Sequence, residues 1–308
     1  MFFIPIFVAI GLGVFLLIAD GLCTRAVRKS KARLESYRHT EIQLGDDAVI
    51  VTYVDRGKGD AVLSIHGVCG GYDQGLETAW HLASGYRVIA PSRFGYLGSG
   101  VPADPGPKAQ AKIFAELLDS LGVDRVCLLA ASAGGAAAIR FALDYPERTR
   151  GLVLYSALAP APSAASLRGK ARRRPNGAGL PTFLYNNFGM WLASLFFKPA
   201  LSIEREAVYT MLPVTERREG LVNDAKITNP DMARNPDDYP IENLQAPVLV
   251  FHAKNDKMAG YRQMAQAVFR FPDNTFVTFE TGGHFLYGNS EEIAAAEKAF
   301  FERLQEGE

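Results

Sequence analysis

The chemistry this 308-residue chain could do is concentrated around one serine. Val126-Cys127-Leu128-Leu129-Ala130-Ala131 is an apolar run long enough for a buried strand, and Ser132-Ala133-Gly134-Gly135 follows at once. A helical pattern through Ala136, Ala137, Ile139, Phe141 and Ala142 then begins. A strand that turns this sharply into a helix pushes the serine hydroxyl out of the backbone. It also sets the hydroxyl at the positive end of the helix, where free N–H groups can meet an oxyanion. Small neighbours are needed because a tight corner has no room for Cβ branches. The spacing is that of a G-x-S-x-G corner with Ala130 in place of the first glycine. The plainer alternative is a serine that only caps a helix packed on a sheet. What separates the two is whether partners for a nucleophile exist elsewhere in the chain.

A serine is a weak nucleophile unless a base takes its proton, and the base needs an acid to orient it. In a parallel sheet the loops at the strands' C-terminal ends converge on one crevice, so partners should follow later strands. Asp256 follows the strand pattern Val248–Phe251, and His284 follows Thr275–Phe279. Ser132, Asp256, His284 is the chain order expected for a serine at such a corner. Asn255 is set aside as the acid because only an ionised carboxylate can both fix the imidazole tautomer and stabilise an imidazolium. His39, His81 and His252 have no comparable context and read as structural or exposed. Taken singly, Asp256 could be a turn residue and His284 an ordinary loop histidine; their joint placement with Ser132 makes the signal.

The loop His66-Gly67-Val68-Cys69-Gly70-Gly71 follows another strand pattern, Ala61–Ile65. Two backbone N–H groups can hold the oxyanion of an acyl-transfer transition state. Those expected are Ala133, directly after the nucleophile, and Val68, with Cys69 as the neighbouring choice. Gly67, Cys69 and His66 are expected to face substrate. The loop lacks both G-x-G-x-x-G and a P-loop lysine, which argues against a phosphate cradle. Cys69 has no helix start around it and is not read as a nucleophile.

These side chains need a frame. From about residue 41 strand and helix patterns alternate, which implies a mostly parallel sheet with helices on both faces. Residues 160–240 break the rhythm with Pro160, Pro162, a basic run (Arg168, Lys170, Arg172, Arg173, Arg174) and an aromatic-rich helical stretch. Because strands resume afterwards, this is read as an inserted helical cap, with 41–159 and 241–308 as the core. Phe188 and Trp191 in the cap are candidates for an apolar substrate pocket, against the plainer role of cap core. Apolar content of 48% and charged content of 21% fit a globular protein with a full core. Lys+Arg and Asp+Glu balance at 33 each, so no net field draws nucleic acid. Three scattered cysteines, Cys23, Cys69 and Cys127, suggest neither a disulfide framework nor a metal site.

Residues 2–19 carry no charge, and at about 1.5 Å rise per residue they would span roughly 27 Å, close to a bilayer's hydrocarbon thickness. Basic residues follow rather than precede them (Arg25, Arg28, Lys29, Lys31, Arg33), unlike a cleaved signal peptide. The expectation is a single-pass membrane anchor over 1–23. Residues 24–40 would then be a basic juxtamembrane linker and the catalytic body cytoplasmic.

With corner, oxyanion loop, acid and base in place, residues 41–305 resemble the α/β-hydrolase superfamily, and its capped branch most. Pro91-Ser92-Arg93-Phe94-Gly95 is similar to that branch's Asp-Arg-x-Gly turn, with Ser92 in place of the aspartate. The resemblance implies a serine hydrolase without metal or cofactor. Members that open epoxides or remove halides use an aspartate at the corner, and Ser132 argues against both. The anchor, basic linker and apolar cap together suggest a small hydrophobic acyl ester as substrate. Carbon–carbon hydrolysis by the same three residues, or a non-catalytic binding role, are the competing readings.

Overall fold

The computed structural model describes residues 3–160 and 179–306, with the side chains of residues 3–10 and 12 left aside. Eight strands form one sheet in the order β1-β2-β4-β3-β5-β6-β7-β8. They are β1 (Thr40–Leu44), β2 (Val49–Arg56), β3 (Ala61–Ile65), β4 (Arg87–Pro91), β5 (Val126–Ala131), β6 (Thr149–Tyr155), β7 (Val248–Ala253) and β8 (Asn274–Phe279). Only β1–β2 and β2–β4 pair antiparallel; β4 to β8 run parallel, as the alternating sequence pattern requires.

Period-two alternation shares each central strand between two cores. Leu63, Leu128, Leu154 and Val250 face one side, packed on α3 (Pro107–Ser120) and α4 (Gly134–Asp144). Val62, Leu129, Val153 and Phe251 face the other, against α2 (Tyr72–Thr78) and the closing helix Ser290–Glu306. Strand β1 is absent from the sequence pattern: its burial is mostly that of an exposed edge, and five residues of which three are polar give little periodic signal.

Between β6 and β7 the described part of the cap contains α5 (Asn187–Ser194) and α6 (Arg218–Asn223) among other short helical segments. Asn186 starts α5 by accepting the Gly189 N–H at 2.8 Å, a cap worth about 1 kcal/mol. The basic run from Arg168 to Arg174 lies outside the described residues. After the cap come β7, α7 (Tyr261–Ala267), β8 and α8 (Ser290–Glu306).

The N-terminal segment departs from expectation. Helix α1 runs from Phe3 to Glu35 without a break, so residues 24–35 continue the helix instead of forming a linker. Ala19, Cys23 and Ala26 are buried in the cap's apolar cluster. Three of the basic residues after them are engaged locally. Lys29 sits 4.0 Å over the Tyr209 ring, Lys31 pairs with Glu216 at 3.1 Å, and Arg33 reaches Asp73 and Glu77, each at 2.8 Å. A membrane-spanning anchor finds no support: among the described residues no helix is long and apolar enough to cross a membrane. The side chains of residues 1–10 and 12, about half of the expected span, lie outside that description. The orientation read from the flanking charges goes with the span.

Candidate active site

Ser132 stands directly after β5 with a backbone φ of 51°, a region L-residues seldom occupy and the mark of a forced corner. The corner is held by backbone: the Ser132 N–H donates to the Tyr155 carbonyl at 2.9 Å, and its own carbonyl accepts from Gly135 at 3.1 Å. Gly134 is needed because any Cβ there would lie 2.6 Å from the Ile65 carbonyl oxygen and 2.7 Å from that of His66. Ala130 is fully buried inside β5, paired with Ile65 and Leu154, so the first position of the motif is ordinary strand and tolerates a methyl group.

Asp256 and His284 come together as the sequence suggested. His284 Nδ1 lies 2.9 Å from Asp256 Oδ2. The other carboxylate oxygen accepts the Met258 and Ala259 N–H groups at 2.8 and 3.1 Å. Burial would raise the Asp256 carboxyl, but the imidazoles of His252 and His284 outweigh it and hold the group well below the usual carboxylate range. An ionised acceptor at Nδ1 leaves Nε2 as the basic nitrogen of His284. Asn255 works on the backbone instead, where its Oδ1 accepts the Gly283 N–H at 2.9 Å and fixes the turn that carries His284. Gly283 has φ 61°, and a Cβ there would meet the Ser202 carbonyl at 2.9 Å, so the cap presses directly on this turn.

Ser132 and His284 line the same cavity of about 580 Å³, together with Gly67, Val68 and Cys69. In the loop after β3 the Gly67 N–H donates to Gln74 Oε1 and the Gly70 N–H to the Gly67 carbonyl. Among the described residues the N–H groups of Val68 and Ala133 are taken up by no such partner. Cys69 is buried, and burial pushes its thiol up to about 12, far from a reactive thiolate.

Three expected substrate contacts are corrected. His66 is fully buried and does not line the cavity. Its Nε2 accepts the Arg93 N–H at 2.8 Å and its Nδ1 lies 2.7 Å from the Gly67 carbonyl. Burial, then the Arg93 charge, keep the ring neutral. It is a strut of the loop. Phe188 and Trp191 pack on each other within the cap's own cluster and do not line the cavity; the cap wall is made by Leu180, Leu184, Met190, Phe197 and Met211.

The sequence pattern does not disclose the groups that brace this site. Arg93 donates to the carbonyls of His66 and Gly67 at 2.9 and 3.1 Å and clamps cap residue Asp224 at 2.6 and 2.7 Å, both side chains buried. Tyr96 donates to the same carboxylate at 2.5 Å. Arg217 from the cap and Arg33 from α1 meet on buried Asp73, and Arg217 also donates to the Gly70 carbonyl at 2.5 Å. These contacts join residues up to 147 positions apart, so no local spacing announces them. His252, expected to be structural or exposed, is buried with Nε2 3.3 Å from Asp256 Oδ2. His81 and Glu297 also reach the cavity wall. Glu297 has a readable signal: it lies four residues after Ile293 and three before Phe300, on the apolar stripe of the closing helix.

Known proteins place this architecture. A 2-hydroxy-6-oxo-6-phenylhexa-2,4-dienoate hydrolase of Burkholderia cepacia is 26% identical over 260 residues, 75% of this chain and 83% of its own. A thermophilic esterase from Thermogutta terrifontis has a similar fold, with a TM-score of 0.65 at 21% identity, over 87% of this chain and 99% of its own. A bacterial membrane phospholipase A superposes at the same TM-score and identity over 98% of this chain and 97% of its own. The family model for the alpha/beta hydrolase fold matches residues 60–290, most of the chain, and the chain belongs to that family.

Proposed function

We propose that the protein is a serine hydrolase of carboxylic esters with a hydrophobic acyl group. The observation that carries this reading is the 2.9 Å Asp256–His284 pair opening on the same cavity as Ser132 at its strained corner. Ser132 Oγ attacks the ester carbonyl carbon while His284 Nε2 takes the hydroxyl proton. The oxyanion rests on the Val68 and Ala133 N–H groups. The bond to the alcohol oxygen then breaks, and His284 returns its proton to that oxygen. Water, deprotonated by the same base, cleaves the acyl-enzyme and regenerates Ser132. The leucine and methionine side chains of the cap wall support an apolar acyl chain.

The test is labelling of the purified protein by a fluorophosphonate probe, followed by an ester series of rising acyl length. Labelling that disappears in Ser132→Ala and in His284→Ala, with preference for longer chains, is the expected result. A folded wild type that takes no label sinks the reading. The second reading, carbon–carbon hydrolysis by the same residues, is favoured by the activity for which the Burkholderia relative is named. Product analysis with a vinylogous diketone separates the two.

A lipid surface is the proposed partner of α1, lying against it and not across it. Val14, Phe15, Leu16, Leu17, Ile18 and Leu22 are exposed, and exposed Arg25 and Arg28 follow on the same helix. Sedimentation with anionic vesicles should fall in Leu17→Glu; equal sedimentation of both proteins removes the proposal.

A further inference from the structure

The cavity around Ser132 has walls of two kinds. One comes from the cap and is apolar. The other comes from the helices on the opposite face of the fold from α3 and α4, and it presents Gln74, Thr78 and His81, with Tyr155 at the end of β6 and Ser290 and Glu297 on α8.

Glu297 is the unusual member. It is 1% exposed and shares the buried side of α8 with Phe300 and Phe301. A carboxylate on the apolar side of a packed helix is costly unless hydrogen bonds satisfy it, and a leucine would pack there without that cost. His81 Nε2 lies 2.7 Å from one carboxylate oxygen, and the Tyr155 hydroxyl donates to the other. Those two partners leave the carboxylate with acceptor capacity to spare at the cavity wall, since its two oxygens offer about four lone-pair sites. The hydrogen bond to Glu297 raises the His81 pKa, the effect expected of an imidazole beside an acceptor. A carboxylate flanked by an imidazole and a phenol, with acceptor sites to spare, suits hydroxyl groups better than a second carboxylate. Tyr155 links this wall to the nucleophile directly, because its carbonyl holds the Ser132 N–H at 2.9 Å.

We infer that Glu297, His81 and Tyr155 form a polar subsite that receives a hydroxyl-bearing alcohol portion of the substrate while the acyl chain lies under the cap. The inference rests on the ester-hydrolase reading and narrows its substrate class to acyl esters of small polyols. Gln74 and Thr78 line the same wall and supply further polar groups for such a substrate.

The experiment compares two esters of one decanoyl chain, the glyceryl monoester and the n-propyl ester, which differ by two hydroxyls. They are assayed on the full-length protein as wild type, Glu297→Gln and Tyr155→Phe. The expected wild-type preference for the glyceryl ester in kcat/KM is about tenfold or more, because a site built for hydroxyls discriminates against a substrate lacking them. In both variants the ratio is expected to fall about tenfold, with the loss in KM for the glyceryl ester. Two variants are used so that a folding failure of one does not decide the matter. A wild-type ratio near one, or variants that slow both esters equally, overturns the subsite and leaves the hydrolase reading standing. Cleavage of neither ester, with no fluorophosphonate labelling of Ser132, overturns the hydrolase reading and the subsite with it.

Discussion

Ser132 and His284 stand just beyond the ends of parallel strands, and their placement is enforced by neighbouring backbone: a carbonyl from β6, the close approach of Gly134 to β3, the Asn255 bond to Gly283. The walls around them are held differently. Arg93–Asp224 fastens the cap to the loop after β3, and Asp73 gathers Arg217 from the cap and Arg33 from α1. The first region draws its precision from the sheet's own ladders. The second depends on buried charges whose partners lie far apart in sequence, and such pairs tolerate the loss of one member badly. Activity and assembly should therefore be separable by mutation.

The largest effect belongs to the corner. Ser132→Ala and His284→Ala should each lower ester turnover by on the order of 10⁴–10⁶-fold, and the double variant hardly further, since such residues act as a unit. Asp256→Asn should cost about 10⁴-fold through the wrong tautomer of His284. Circular dichroism and melting curves should be nearly unchanged for the serine variant. A large loss of stability in Ser132→Ala contradicts the proposed separation.

The charged walls should behave the opposite way. Arg93→Met leaves the Asp224 carboxylate buried without its two guanidinium donors, and the expected loss is about 3–5 kcal/mol in denaturant unfolding. Residual activity per folded molecule should fall far less than in the serine variant. Acid brings out the same contrast. Burial would raise the Asp73 carboxyl, but Arg217 and Arg33 outweigh it and hold it below its ordinary value. The native state therefore binds fewer protons there than the unfolded chain, so this contribution is present above about pH 4 and is lost as pH falls below it. Unfolding free energy measured from pH 6 to pH 3 should decline, and Asp73→Asn, less stable at pH 6, should show a shallower decline.

The same division explains what is legible in the sequence. Ser132 and its proposed acid and base carry local signatures: an apolar run ending in small residues, and Asp256 and His284 each a few positions past a strand. The glycine-bearing loop after β3, proposed to hold the oxyanion, has a local signature of the same kind. His66 misleads because a histidine beside glycines looks like a substrate contact, whereas Arg93, 27 residues away, makes it a strut. Phe188 and Trp191 mislead because an aromatic stripe has the same period whether it faces a pocket or its own helix bundle. The N-terminal helix looks like an anchor and linker because hydropathy does not record that Ala19, Cys23 and Ala26 have the cap to pack against.

Arg33 offers the mildest probe of how far α1 belongs to this assembly. It is partly exposed, and Asp73 keeps Arg217 when Arg33 is removed, so no buried carboxylate is orphaned. Arg33→Met should therefore cost only about 1 kcal/mol, nearer to a surface pair than to a buried one. The more telling readout is local. Arg33 also touches the Tyr209 carbonyl in the cap and Glu77 on α2, so its loss loosens α1 at three points while the Arg217–Gly70 contact to the loop after β3 persists. Hydrogen exchange should rise along residues 24–35 and leave residues 66–71 protected as before. Equal deprotection of both segments would mean that α1 helps hold the loop after β3 itself, and that the two regions are mechanically one.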